Sequence, residues 1–370
     1  MYLPKAPPLR RKGGRLRTVL LYLAAILLLG YAGIQRVPWF KALSPTPTPT
    51  PSADFYAGNA RILRTAGDLN GAIEAYDRAL ALTPHDVDLL TEKAKLLVLR
   101  ERFPAAIESA EAALAIDPDH SSALAAIAQA LDWEGELDQA LEYARSAIRA
   151  DDSDAYAYAV LAEVLTDRGD LNEAWRAAEQ AVSLDPNLGM AHRNQGYLLQ
   201  RLGRYNDAIE AYKRGAELDP GLFLYYVNIG YTYLGMQQPD QAIDYLELAT
   251  RKDPKSPMAL QALGRALLAA GRSEEAVAAL EQAVQADPQH AGVHADLGAA
   301  YYTRLNYEKA IPYLERAIEL GSKSATTHAQ LGLCLAYTEQ CSLAIPVLQR
   351  ALELDPESVA AQRGLQVCQQ

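Results

Sequence analysis

Two histidines four residues apart, His290 and His294, have the spacing at which a helix places two metal ligands on one face. Other features of the sequence argue against a metal. His290 falls in the turn just after Pro288, and neither a carboxylate nor a third histidine completes a ligand set. His192, His294 and His328 share one position of a repeated pattern, where we expect a side chain packed between helices. We therefore expect neither a metal nor another cofactor.

The sequence also lacks motifs that indicate catalysis. It contains no glycine-rich phosphate loop, no nucleophile elbow and no acid pair with a fixed partner. The repeated pattern also accounts for the residues after position 52, which leaves no segment for a catalytic domain. We expect that the chain is not an enzyme and has no small-molecule substrate.

The repeated pattern has a period of 34 residues. Counting from Ala53 gives nine repeats that end at Ser358, and residues 359–370 follow them. Asp152 and Ser322 replace the proline that ends the other repeats. Seven prolines are in register: Pro84, Pro118, Pro186, Pro220, Pro254, Pro288 and Pro356.

Each repeat has the pattern of two helices separated by a short break, and the late proline ends the second helix. We number the places of a repeat from its first residue. Place 27 is alanine in eight repeats, and place 8 changes from alanine in repeats 1–4 to glycine in repeats 5–9, which predicts slightly closer packing in the second half. Small residues at a fixed place indicate a close approach of two helices. Place 20 is always alanine: Ala72, Ala106, Ala140, Ala174, Ala208, Ala242, Ala276, Ala310 and Ala344.

These residues resemble the tetratricopeptide repeat family, whose units are 34-residue helix-turn-helix pairs with small residues at fixed places and a late proline. The match covers residues 53–358. The resemblance implies an all-α fold, a right-handed superhelical solenoid of nine repeats with a capping helix at residues 359–370. The first helix of each pair would line the concave groove.

The N-terminal residues differ from the repeats in charge and hydropathy. Residues 1–52 hold eight basic residues and no acidic one, whereas the others hold 27 basic and 46 acidic residues. An acidic body of this kind argues against nucleic acid as a partner. Residues 1–17 form a basic segment, and the uncharged run at 18–34 would be roughly 25 Å long as a helix. With Trp39 and Phe40 at its end, the segment 18–40 predicts a transmembrane signal anchor.

The charge on either side of this run predicts a cytoplasmic N-terminus and repeats outside the cytoplasm. Cleavage after Gly30-Tyr31-Ala32, which would give a secreted protein, is the alternative. Residues 41–52 include the run SPTPTPTPS, whose alternating prolines favour an extended linker.

Three cysteines lie near the C-terminus. Cys334 and Cys368 share place 10, which apolar or small residues hold elsewhere, so a small buried side chain is expected there. Outside the cytoplasm, Cys341 could form a disulfide with either Cys334 or Cys368 and leave the third cysteine free.

In the family, places 2, 5, 6, 9, 12 and 13 build the concave groove. In repeats 5–8 these places hold amide, aromatic and guanidinium groups that could bind the backbone, the apolar side chains and the carboxylates of a peptide. Two asparagines at place 6 resemble a short form of the asparagine ladder of some superhelical members. The predicted groove residues are Arg193, Asn194, Tyr197, Arg201, Asn228, Tyr231, Arg265 and Tyr302.

These observations predict a membrane-tethered scaffold that binds protein or peptide partners in its groove. An accessory subunit of a membrane enzyme or of an export or assembly complex is the alternative. Self-assembly through the end faces is a third possibility. The sequence does not identify the partner.

Overall fold

The structure is a computed structural model that describes residues 13–34 and 51–369, which form helices joined by turns. The chain divides into two compact parts, Met1–Pro51 and Ser52–Gln370. Most of the predicted basic segment, the flanking residues Trp39 and Phe40, and residues 41–50 of the predicted linker lie outside the described residues.

In the first part, α1 (Gly13–Ile34) is a helix of 22 residues. The side chains from Thr18 to Tyr31 are exposed. Among the described residues, none of the helices has both the length and the apolar content that crossing a bilayer requires. The predicted membrane anchor at residues 18–40 is therefore not supported by the structure.

The second part confirms the predicted all-helical repeat fold. Each repeat contributes two helices, which pack against each other, and from repeat 2 onwards the first helices of consecutive repeats also pack together. In chain order the pairs are α2 (Ala53–Ala66) and α3 (Leu69–Leu80), α4 (Val87–Leu99) and α5 (Phe103–Leu114), α6 (Ser121–Glu134) and α7 (Leu137–Ala150), α8 (Ala155–Arg168) and α9 (Leu171–Leu184), α10 (Gly189–Arg201) and α11 (Tyr205–Leu218), α12 (Leu224–Gly235) and α13 (Pro239–Lys252), α14 (Pro257–Ala269) and α15 (Ser273–Ala286), α16 (Ala291–Thr303) and α17 (Tyr307–Glu319), α18 (Ala325–Tyr337) and α19 (Cys341–Leu354).

Residues at two fixed places mark the start and the end of each first helix. Place 34, the last residue of the preceding repeat, holds a side chain that caps the next first helix, as Asp86 does by accepting from the Leu89 N–H and His290 by accepting from the Val293 N–H. Repeats 4 and 5 carry leucine there instead, at Leu188 and Leu222. Place 15 follows the first helix and has a left-handed backbone at Gly67, Glu101, Gly135, Gly169, Gly203, Gln237, Gly271, Leu305 and Glu339.

Side-chain size is matched between place 8 of the first helix and place 24 of the second. In repeat 7, a Cβ added at Gly264 would lie 2.5 Å from Cγ of Leu280, so glycine leaves the room that the leucine fills. Repeats 2–4 have alanine at both places, as at Ala128 and Ala144 in repeat 3, which are both fully buried. Repeat 1 is an exception, because it has an alanine at place 8 opposite Tyr76. In repeats 5–9, the glycine at place 8 lies opposite a tyrosine or a leucine at place 24.

The array ends with α20 (Val359–Val367), which packs against both helices of repeat 9. A disulfide joins Cys341, the first residue of α19, to Cys368, with their Cα atoms 5.3 Å apart. Cys334 is free and buried. Burial raises the pKa of the Cys334 thiol to about 12, so it stays protonated at neutral pH. Of the two partners considered for Cys341, the structure pairs it with Cys368.

Candidate functional site on the inner surface of the repeats

Places 2, 5, 6, 9, 12 and 13 of the first helices form the surface that we call the inner surface. In repeats 3–5 it is filled by a polar network centred on Glu163 of α8, which is 2% exposed. The Glu163 carboxylate accepts hydrogen bonds from Gln129 Nε2, Trp133 Nε1, Asn194 Nδ2 and the Arg193 guanidinium. Because the four donors come from α6 and α10, the first helices of the preceding and following repeats, the network holds three consecutive repeats together.

Arg193 and Asn194 belong to this network and are buried, and Arg193 Nε has no hydrogen-bond partner among the described residues. The Arg193 guanidinium also donates to Asn194 Oδ1, and it lies over the rings of Trp133 and Tyr197. Burial opposes its charge, but the adjacent Glu163 carboxylate raises the pKa of Arg193 above its usual value. The Asn194 amide donates to the Ala159 carbonyl and to Glu163. Both of these predicted groove residues are thus buried, and their part in peptide binding stays a prediction.

Asp132 of α6 is a second acidic group, next to the network. It is 5% exposed, and neither carboxylate oxygen has a hydrogen-bond partner among the described residues. Burial, together with the charges of Glu163 and Asp167, raises the pKa of Asp132 to about 9. The side chain is therefore neutral at pH 7, which lowers the cost of burying it near Glu163.

Repeats 1 and 2 pack against repeats 5–7. Arg64 of α2 forms an ion pair with Asp219 at 2.9 Å, and Arg100 pairs with Asp253. Sequence separations of 155 and 153 residues show that the chain returns on itself after about four and a half repeats. Gly67 and Gly221 face each other so closely that a Cβ on Gly67 would lie 2.7 Å from the Gly221 carbonyl oxygen.

Apolar residues complete this contact. Leu96, Leu97 and Leu99 of α4 belong to the same buried cluster as Leu222, Phe223 and Tyr225. Glu101 also reaches His290 of repeat 7, with 3.3 Å between Oε2 and Nε2. This hydrogen bond raises the pKa of His290. His290 is thus a capping and contact residue, while His294 Nε2 lies 3.0 Å from the Pro288 carbonyl oxygen. The inner surface of the first repeats is consequently enclosed by the chain itself.

The other predicted groove residues lie on a less enclosed surface. Tyr197 is half-buried and donates to Asp167, whereas Arg201 is exposed. Arg265 is half-exposed, and its Nε donates to Asp296 of the next repeat at 2.6 Å. Tyr231 is half-buried beside Arg265. Tyr302 is half-buried and its ring contacts Tyr307, which in turn contacts Tyr337.

Asn228 differs from Asn194 although both hold place 6. Its Nδ2 is buried and has no hydrogen-bond partner among the residues that the structure describes. Asn194 reaches place 9 of the preceding repeat, which is Glu163, but the corresponding residue for Asn228 is Tyr197. The Tyr197 hydroxyl donates to Asp167. The Asn228 amide is therefore left with an unused donor.

Sequence reasoning missed Gln129, Asp132, Glu163 and Asp167. All four hold inner-surface places of repeats 3 and 4, so the same places read in those repeats would have revealed three acidic groups facing the basic Arg193. What the sequence could not show is their burial.

Stacked helix pairs with a 34-residue period define a helical-repeat scaffold, and comparison with known proteins identifies the family. Family models described as "Tetratricopeptide repeat" match residues 57–121, 97–164, 155–188, 189–222, 227–291 and 261–325. Together they cover well over half of the chain, which therefore belongs to the tetratricopeptide repeat family.

Solved structures show the same fold. A chain of "Crystal structure of APC/C hetero-tetramer Cut9-Hcn1" is similar with a TM-score of 0.64 and 19% identity, over 94% of this chain and 83% of that chain. A second, "Functional Characterization of Pseudomonas Aeruginosa pilF", has a TM-score of 0.51 and 19% identity, over 58% of this chain and 98% of that chain. No curated protein matches the sequence.

Proposed function

We propose that the chain is a protein-binding scaffold that holds an extended segment of a partner protein on the inner surface of repeats 6–8. Tetratricopeptide repeats form scaffolds suited to protein-protein interaction. The proposed contact residues are Asn228, Tyr231, Arg265 and Tyr302, with Arg201 at the edge. Arg193 and Asn194 would support this surface from the buried network.

The unused donor of Asn228 is the observation that carries the proposal. A buried amide N–H without a partner costs free energy, and a turn of the half-buried Asn228 side chain would present it to a peptide carbonyl. Arg265 lies one repeat further on and is half-exposed, which suits a carboxylate of the same segment. Half-buried tyrosines between and beyond these groups offer apolar contact area.

Site-specific photocrosslinking tests this surface. A photoreactive amino acid at position 231 should crosslink a partner segment, and the yield should fall when Asn228→Ala and Arg265→Ala are introduced together. Asn172→Ala is the matched control, because Asn172 is exposed on the second helix α9. Crosslinks whose yield is unchanged by the double substitution would contradict the proposal.

Attachment to a membrane is a separate prediction from the sequence, and the proposed surface does not depend on it. The described residues contain no helix that supports an anchor. Protease treatment of intact cells tests the predicted orientation, since repeats outside the cytoplasm would be digested and cytoplasmic repeats protected. A stable complex in detergent would favour the accessory-subunit alternative, and recovery of a shortened soluble chain would favour secretion. The expected lack of catalysis also stays a prediction.

A further inference from the structure

A cavity of about 270 Å³ lies among repeats 1–6, where the chain returns on itself. Its apolar wall includes Leu96 and Leu99 of repeat 2 and Met190 of repeat 5. Leu188 and Leu222 also line it. These are the two leucines that stand at place 34, where other repeats have a capping side chain, so the departure from the repeat pattern coincides with the cavity.

Each charged side chain that lines the cavity has an ion-pair partner, but one buried carboxylate oxygen has no hydrogen-bond partner in the described part of the chain. Lys95 pairs with Glu92 at 2.9 Å, and Arg64 pairs with Oδ2 of Asp219 at 2.9 Å. The Gln129 amide is used by Tyr156 and Glu163. Asp219 is 8% exposed, and its Oδ1 has no hydrogen-bond partner within the part of the chain that the structure describes.

The turns of other repeats show how unusual this oxygen is. Aspartate at place 31 normally uses Oδ1 to accept the backbone N–H two residues later, as Asp185 does from Asn187, Asp253 from Lys255 and Asp287 from Gln289. Asp219 holds the same place and, like Asp253, uses Oδ2 to pair with an arginine, but its Oδ1 accepts no such N–H. Its unpaired acceptor is thus buried in a residue that lines the cavity, beside both apolar and polar side chains.

An open cleft of about 610 Å³ adjoins the cavity, since Lys95, Tyr156 and Leu188 line both. Against Lys95 and His120 the cleft presents five carboxylates, which makes it strongly acidic. They belong to the turns that follow repeats 2–4: Asp117, Asp119, Asp151, Asp154 and Asp185.

We propose that the cavity is a second binding site, which takes a lysine side chain from a basic segment of a partner protein lying in the acidic cleft. The ammonium donates to Asp219 Oδ1, and the four-carbon stem packs against the leucines and Met190. Charge complementarity between the cleft and the segment favours this occupant. The site uses other residues than the Asn228 surface, so it stands or falls independently of that surface.

Isothermal titration calorimetry on the full chain tests the site with three probes: a blocked pentapeptide containing three lysines, the same peptide with acetylated lysines, and n-butylamine. The lysine peptide should bind, and the acetylated peptide should not. Asp219→Asn, which keeps an acceptor for Arg64 but removes the charge, should weaken binding about tenfold, as expected for the loss of a charged hydrogen bond. Leu188→Trp, which narrows the passage from the cleft, should have the same effect.

Asp119→Asn should weaken binding by a smaller factor that disappears at high salt, because Asp119 acts through charge at the exposed edge of the cleft. Asp244→Asn, on the exposed side of α13, is the matched control and should change nothing. If Asp219→Asn does not fold by circular dichroism, Leu188→Trp alone decides. Binding that neither variant weakens would overturn the site. Butylamine binding as tightly as the peptide would overturn the assignment to a partner segment.

Discussion

Repeats 2–4 and repeats 6–9 fill the space between their two helices in different ways. Repeats 2–4 use alanine at both places 8 and 24, and the network around Glu163 fills the inner surface of repeats 3–5. Repeats 6–9 use glycine opposite leucine, as at Gly264 and Leu280, and their inner surface keeps the unused donor of Asn228. The same repeat pattern thus supports two regions. In the first, which we call the polar region, the inner-surface side chains bind one another. In the second, which we call the apolar region, glycine and leucine fill the space between the helices, and the Asn228 amide is left for a partner.

Glu163→Ala should be the most damaging single change in the polar region. It removes the acceptor of four donors and leaves the Arg193 guanidinium buried without its counterion, which should cost about 3–5 kcal/mol. Urea denaturation measures this loss. Glu173→Ala is the control, because Glu173 is exposed and its pairing with Arg145 at 3.4 Å should contribute less than about 1 kcal/mol. Equal losses of unfolding free energy in the two variants would contradict the proposed role of the Glu163 network.

Gly264→Ala tests the apolar region. The new Cβ would lie 2.5 Å from the Leu280 side chain, so we expect destabilisation by about 1–3 kcal/mol through overpacking. Combining it with Leu280→Ala would recreate the alanine pair of repeats 2–4. The double variant should lose less stability than the sum of the single losses, and a double-mutant cycle measures this coupling. Simple additivity would show that size matching does not govern the pair.

The polar region should also differ in the pH dependence of its stability, because Asp132 lies next to the Glu163 network. Asp132 binds a proton in the folded chain up to about pH 9, whereas the unfolded side chain releases it near its ordinary pKa of about 4. Between these values the folded state holds the extra proton, so the contribution of Asp132 to stability falls as pH rises. Asp132→Asn should therefore gain melting temperature relative to the natural chain from pH 5 to pH 9. An advantage independent of pH would contradict this assignment. Asp244→Asn should show no such trend.

Leu305→Gly should have the smallest effect and should be stabilising. Leu305 is 71% exposed and has a φ of 58°, so glycine would relieve a left-handed backbone without loss of burial. We expect a gain of about 0.5–1 kcal/mol. Gly271→Ala makes the reverse change at the same place of repeat 7, where a Cβ would meet no atom within 4 Å, and should destabilise. Thermal unfolding of both variants checks the paired signs.

The repeat fold could be predicted from the sequence because its signals recur every 34 residues and act locally. Helix caps, the small residues at place 20 and the late prolines each specify structure within one repeat. The contact of repeats 1 and 2 with repeats 5–7 could not be predicted in this way. Arg64 carries no periodic signal, and the aspartate that recurs at place 31 does not mark Asp219 as its partner. Their meeting depends on small rotations accumulated over four repeats.

The candidate site also shows what the repeat pattern alone could not predict. Asn194 and Asn228 have the same residue type and place, and the sequence gives them one role. Their surroundings differ because the neighbouring repeat offers Glu163 to one and Tyr197 to the other. A pattern within one repeat therefore identifies candidate residues, and only the packing of adjacent repeats decides which of them are free.

The disulfide between Cys341 and Cys368 has a consequence for how the array comes apart. Linear repeat arrays lose structure most easily from their ends, where a terminal repeat has only one neighbour. Here α20 is covalently bound to repeat 9, and repeats 1 and 2 are held by repeats 5–7. Because repeats 1 and 2 are held in this way and the disulfide joins α20 only to repeat 9, we expect unravelling to start at the C-terminal end, where repeat 9 and α20 separate from repeat 8 as one unit. Reduction of the disulfide would let α20 separate first by itself.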